Sequence, residues 1–162
     1  MNPNAGTGRE LLRHAVATLA YRGGKALRGA PESFAMFRIG DATRPPVKLV
    51  AHIGDLFDWA LLMAQGKTVW KDSEPLPWDQ EVKRFFDTLA AFDAFLGTDE
   101  PLHATVEKLF QGPVADALTH VGQLAMLRRV AGAPTRSENF AMAEIVVGRT
   151  GAEQAPARRE FD

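Results

Sequence analysis

A carboxylate and an imidazole lie four residues apart in the second half of the chain, at Asp116 and His120. Four residues are just over one turn of an α-helix, so both side chains project from one face, about 6 Å apart at Cβ. The residues around them are apolar: Val114, Ala117, Leu118, Val121, Leu124 and Leu127. Two ligand-type side chains on an otherwise apolar helix are typical of a metal site inside a helix bundle.

A third candidate ligand, His52, has apolar neighbours at helical spacing, so its imidazole is expected to point inward. Three protein ligands leave open coordination positions, which is the catalytic rather than the structural pattern for zinc. Two imidazoles and one carboxylate also suit nickel, iron or manganese. A structural interpretation remains open, in which His52 is a hydrogen-bonded core residue and Asp116 and His120 form only a hydrogen bond.

Composition limits the other possibilities. The chain has 162 residues, 46% hydrophobic and 24% charged, which predicts one globular domain with a substantial core. Its net charge of -1 gives no indication of a nucleic-acid or membrane partner. Because there is no cysteine, nitrogen and oxygen atoms must hold any metal. Without a signal-like or membrane-spanning segment, the expected location is the cytoplasm.

Apolar residues recur at helical spacing in four segments, which predicts an all-α four-helix bundle with long crossover loops. Thr7 and Glu10 form a predicted capping box at the first helix, and Gly23-Gly24 is expected to weaken or end it. Residues Leu102 to Phe110 read as a helical lead-in, followed by a break at Gly112-Pro113. The four predicted helices span about residues 7–24, 45–65, 78–96 and 113–131.

The bundle is assigned to residues 1–134 and a C-terminal extension to residues 135–162. Ser137 is expected to cap a short segment from Glu138 to Val147. The extension contains more large apolar residues than a disordered tail usually has, so it should fold back over the bundle. From there we expect it to narrow access to the metal.

Two segments together resemble the DinB-like superfamily: His52-Ile53-Gly54-Asp55-Leu56-Phe57-Asp58-Trp59, and His120-Val121-Gly122-Gln123-Leu124 with Leu127-Arg128-Arg129 and Gly132-Ala133-Pro134. The resemblance covers about residues 7–134. It implies a four-helix bundle with a metal triad, here His52, Asp116 and His120. Asp116 takes a position that is usually His, as in the branch that includes mycothiol-dependent maleylpyruvate isomerases, where a carboxylate stands there.

The resemblance implies a metal-dependent enzyme, such as a thiol-dependent transferase, isomerase or hydrolase, that acts on a small molecule. Since the chain lacks cysteine, a low-molecular-weight thiol would have to come from a cofactor. A metal-free small-ligand-binding module and a structural or stress-associated bundle are the alternatives. The phenylalanines of the third helix are spread over more than one face, which predicts a homodimer.

Four other residues are weaker candidates. Asp55 lies one turn after His52 and is expected either to orient that imidazole or, more simply, to be solvated. Arg128 is expected to favour the negative end of the last helix or to turn toward an anionic substrate. His14 is interpreted as a surface or helix-packing residue rather than one at the mouth of the bundle, and His103 as an exposed residue.

Overall fold

The computed structural model describes residues 4–161, and side chains from residue 6 onward. The helices in chain order are α1 (Asn4–Leu27), α2 (Pro46–Ala64), α3 (Trp78–Leu96), the short α4 (Val106–Leu109) and α5 (Ala115–Val130). Strands β1 (Ser137–Glu138) and β2 (Glu160–Phe161) form one short antiparallel pair. The prediction of an all-α chain is therefore confirmed. Among the described helices, none has the length and apolar content needed to cross a bilayer.

Each long helix packs against two others, with α1 and α2 both lying against α3 and α5. The core between them includes the fully buried side chains Val16, Leu19, Ile53, Phe57, Phe85, Leu89, Phe92 and Leu124. Most of the α3 phenylalanine surface lies inside this core, since Phe85 and Phe92 are buried completely and Phe86 is 9% exposed. These residues therefore do not provide the exposed apolar face from which a dimer was predicted.

Helix α1 runs through the glycine pair to Leu27, so Gly23-Gly24 does not end it, and the alternative that the pair only weakens the helix stays open. It also begins before Thr7, which lies inside the helix rather than at its cap. A Cβ atom on Gly23 would approach Cζ of the buried Phe85 to 2.4 Å. Glycine is therefore required here because an aromatic ring packs directly against the backbone.

The predicted break at Gly112-Pro113 is instead a wide π-helical turn that joins α4 to α5. Proline has no N–H for the regular α-helical ladder, and a wider turn accommodates it. The lead-in is shorter than predicted, because α4 begins after Thr105, whose hydroxyl accepts a hydrogen bond from the Lys108 N–H. The turn ends two residues before Asp116 and sets where that side chain enters α5.

Two arginines join helices in pairs. Arg13 donates two hydrogen bonds, of 2.9 and 3.0 Å, to the carboxylate of Asp93, which ties α1 to α3. Arg128 donates to the carbonyls of Ala26 and Arg28 at the end of α1, at 3.0 and 2.9 Å. Burial lowers the pKa of Arg128. Its guanidinium stabilises the negative end of α1, and its Nε also donates to the Ala133 carbonyl at 2.7 Å, just after the end of its own helix. It therefore does not turn toward a substrate.

The C-terminal extension contacts α1 through a buried carboxylate. Glu138 accepts hydrogen bonds from the Tyr21 hydroxyl at 2.6 Å and from Lys25 Nζ at 2.7 Å. Burial and the Glu138 hydrogen bond raise the pKa of Tyr21 to about 12.

Ser137 does not cap a helix: it lies in β1 and its hydroxyl accepts a hydrogen bond from Arg129. The division of the chain at residue 134 stays a prediction.

We predict that Gly23→Ala destabilises the protein. Overpacking against Phe85 should cost about 1–3 kcal/mol, only partly offset by the ~1 kcal/mol that alanine gains in a helix interior. Gly24→Ala is the matched control, because its Cβ would lie 3.4 Å from the nearest Phe86 atom. Urea unfolding of both variants measures the difference. Equal midpoints would contradict the close contact between Gly23 and Phe85.

Candidate metal centre

The three predicted ligands meet between α2 and α5. His52 Nε2 lies 3.4 Å from Asp116 Oδ2, and His120 Nε2 lies 3.3 Å from Asp116 Oδ1. The two imidazole rings are nearly perpendicular, with centroids 4.9 Å apart. One ligand atom from each of the three residues lies within 4.8 Å of the others. The residues singled out in the sequence thus form one group that could hold a metal ion.

The separations in this group are close to those that a metal requires. Two ligand atoms that are each about 2.1 Å from one tetrahedral ion lie about 3.4 Å apart. Each Asp–His separation is near that value, but the two involve different oxygens of Asp116, and one ligand atom from each residue brings the three within 4.8 Å. Both Asp–His separations exceed the roughly 3.2 Å upper limit of a good N–H···O hydrogen bond. Two neutral imidazoles and one carboxylate are also a donor set that zinc, nickel, iron and manganese accept.

Solvent reaches the group mainly at the carboxylate. The side chain of Asp116 is 45% exposed, whereas those of His52 and His120 are 21% and 12% exposed. Asp116 is therefore not the buried carboxylate that its apolar sequence neighbours indicated. The two imidazoles form the inner part of the group, and the outer part is accessible to a molecule from solution.

Gln123 holds the imidazole of His120. Its Oε1 lies 2.8 Å from His120 Nδ1. An amide oxygen only accepts, so this contact favours the tautomer with its proton on Nδ1, in which Nε2 is the atom that would bind a metal. In the sequence, Gln123 stands out only as part of the motif that begins at His120. The signal was its position three residues after His120 on the same helix, the spacing at which side chains meet.

The connection between α2 and α3, residues 65–77, covers His52 with an aromatic side chain. The Trp70 ring lies edge-on to the imidazole with centroids 5.7 Å apart, and Trp59 lies edge-on to Trp70 at 5.6 Å. Trp70 remains 42% exposed. It therefore shields one side of His52 from a position on a loop rather than in the core.

Asp55 supports this connection and not the imidazole. It is buried, and it accepts hydrogen bonds from the Ser73 N–H at 2.9 Å and from Arg84 Nη2 at 2.6 Å. Burial would lower the pKa of Arg84, but its hydrogen bonds to Asp55 and Asp58 outweigh that effect and raise it. Both earlier interpretations of Asp55 are therefore wrong: it is neither solvated nor oriented toward His52.

Two cavities flank the triad. The larger, about 480 Å³, is lined by His120 and Gln123 together with the connection between α1 and α2, residues 28–45. The smaller, about 240 Å³, is lined by His52 and by parts of both connections. In the described part of the chain, no residue after Pro134 lines either cavity. The two connections, and not the extension, therefore line the cavities beside the triad, and an access role of the extension stays a prediction.

The other two histidines lie outside the group. Both His14 and His103 are exposed, as predicted. The backbone N–H of His103 donates to the Ala64 carbonyl at the end of α2, and its imidazole packs against Gly66.

No protein-family model, no curated protein and no solved structure matches this chain. The assignment of a function therefore depends on the chemistry and geometry of the site.

We predict that Gln123→Ala lowers the affinity for a divalent metal about 10–100-fold, the usual effect of removing a hydrogen bond that orients a ligand. Gln123→Glu keeps an acceptor for His120 Nδ1 and should retain most of the affinity. Competition with a chromophoric chelator measures both variants against the wild type. If the alanine variant binds metal as tightly as the glutamate variant, Gln123 does not position His120.

Proposed function

We propose that this protein is a metal-dependent enzyme of the DinB-like superfamily, with one divalent ion held by His52, Asp116 and His120. The observation that carries the proposal is the convergence of these ligands from α2 and α5, with all three ligand atoms within 4.8 Å. The arrangement agrees with what the resemblance implies, since one histidine comes from the second long helix and two ligands four residues apart come from the last. The packing of four long helices around one core also supports it.

A divalent ion held by three protein ligands would polarise a substrate or lower the pKa of a bound water or thiol. Each residue around the proposed metal would have a defined part in this arrangement. The imidazoles of His52 and His120 would provide two nitrogen donors, the contact of Gln123 with Nδ1 would leave Nε2 of His120 as its ligand atom, and the carboxylate of Asp116 would provide an oxygen donor. Trp70 restricts the approach of water to His52. A small molecule would enter from the exposed side of Asp116 or through the adjacent cavity.

Zinc or nickel is our preferred metal, and iron or manganese would suit the same donors. We further propose a thiol-dependent transferase, isomerase or hydrolase reaction. The thiol would be a low-molecular-weight cofactor, because the chain contains no cysteine.

We predict that His52→Ala abolishes stoichiometric metal binding while helical content is retained, because the variant removes one of three ligands at a partly exposed position. Elemental analysis of protein prepared without a metal-binding tag measures the metal, and far-UV circular dichroism measures the helices. His14→Ala is the matched control, since it removes an exposed histidine from another helix.

Equal metal content in the wild type and in His52→Ala would contradict the triad. A wild type that binds no metal but binds small molecules in the cavity would favour the alternative, a non-catalytic small-ligand-binding or stress-associated bundle protein. The two outcomes are distinguished by measuring metal content and ligand binding on the same preparation.

We also propose a homodimer that buries helix faces. Met126 and Val130 lie four residues apart on α5 and are 63% and 51% exposed, which leaves an apolar stripe on that helix. Val130→Lys should shift the protein toward a monomer in solution scattering. Val69→Lys is the control, because that side chain is similarly exposed but lies on a loop. A wild type that is monomeric at moderate concentration would contradict the proposal.

A further inference from the structure

The larger cavity beside the triad has the size and composition of a small-molecule site. Its volume of about 480 Å³ lies in the usual range for ligand pockets, roughly 300–1,000 Å³. Its walls are mostly apolar, and its polar lining residues come from two chain segments. His120 and Gln123 belong to α5, and Thr43 and Arg44 belong to the connection between α1 and α2. The apolar lining residues are Ile39, Ala42, Leu49, Met126 and Leu127.

Arg44 differs from the arginines that hold the helices together. Arg13, Arg84 and Arg128 each donate to buried carboxylates or carbonyls. Within residues 4–161, no hydrogen bond or ion pair engages the exposed guanidinium of Arg44. It is the one permanently charged residue in the lining of the larger cavity, and it also lines the smaller cavity beside His52. A free guanidinium at this place provides a planar pair of donors that no protein group uses.

We propose that the larger cavity binds a small organic acid, with its carboxylate on Arg44 and its apolar body against Leu49 and Leu127. A guanidinium recognises a carboxylate through two parallel N–H···O bonds. A single cation among apolar walls matches a monoanion with a hydrocarbon body better than a phosphate dianion. The inference deepens the proposed function, because it places the body of the acid beside His120, but binding of the acid itself does not require a metal.

The test uses phenylacetate and its neutral isostere phenylacetamide as probes, titrated by calorimetry into protein stripped of metal by a chelator. Removing the metal prevents the carboxylate from binding directly to it. Arg44→Gln should weaken phenylacetate about tenfold, the usual loss when a hydrogen bond to a charged group is removed. The same variant should leave phenylacetamide within twofold. Arg44→Lys should retain part of the affinity, because it keeps the charge without the planar pair of donors.

Lys48→Gln is the matched control, since it removes the same charge from an exposed residue that lines only the smaller cavity. It should change the affinity for phenylacetate less than twofold. Equal losses in Arg44→Gln and Lys48→Gln would overturn the proposal, because they would indicate a general electrostatic effect. Equal losses for the acid and the amide would also overturn it, as would phenyl phosphate binding more tightly than phenylacetate with the same dependence on Arg44.

Failure of this inference is distinguishable from failure of the metal proposal. His52→Ala should lose the metal but keep the Arg44-dependent binding of phenylacetate. Arg44→Gln should keep the metal of the wild type but lose affinity for the acid. If no preparation binds metal while phenylacetate still requires Arg44, the acid site stands and the proposed enzyme does not.

Discussion

The register between α2 and α5 is the constraint on which the candidate metal centre depends. Val50, Ile53 and Phe57 of α2 are completely buried, as are Ala117 and Leu124 of α5. Rotating either helix would expose such side chains, at about 1.5–3 kcal/mol for each large one. The core thereby holds the helix edges that carry the ligands in one relative position. The imidazoles and the carboxylate meet there without a strong hydrogen bond to draw them together.

The carboxylates that hold the helices together differ in their partners from the carboxylate of the candidate metal centre. Asp93 and Asp55 are buried and receive hydrogen bonds from Arg13 and Arg84, so their charges are balanced inside the protein. Asp116 is half exposed and faces two imidazoles instead of a permanent cation. An arginine at that position would hold the carboxylate in an ion pair and compete with a metal. Both kinds of site occur within one small bundle because arginine reaches from neighbouring helices to one set of carboxylates and not to the other.

The two long connections between helices provide residues that surround the triad. Asp55, through its bonds to Arg84 and the Ser73 N–H, fastens the connection that carries Trp70. Gly54 contributes to the same feature, because a Cβ there would lie 2.9 Å from Arg84 Cζ, within the space of the guanidinium. The other connection provides one wall of the larger cavity, including Arg44. Helices set the ligand positions, and the loops determine what can approach them.

Helix boundaries and the composition of the triad were largely determined by the sequence alone. The bounds of α2, α3 and α5 agree with the predictions to within two residues, because the apolar period and terminal proline and glycine are local signals. The pairing of Asp116 with His120 follows from their spacing on one helix. The surroundings of Gly23, Asp55 and Arg44 were decided only by the tertiary structure. Gly23 and Asp55 each have partners from chain segments that are distant in the sequence, and Arg44 has none among the described residues. Packing decides which distant groups meet.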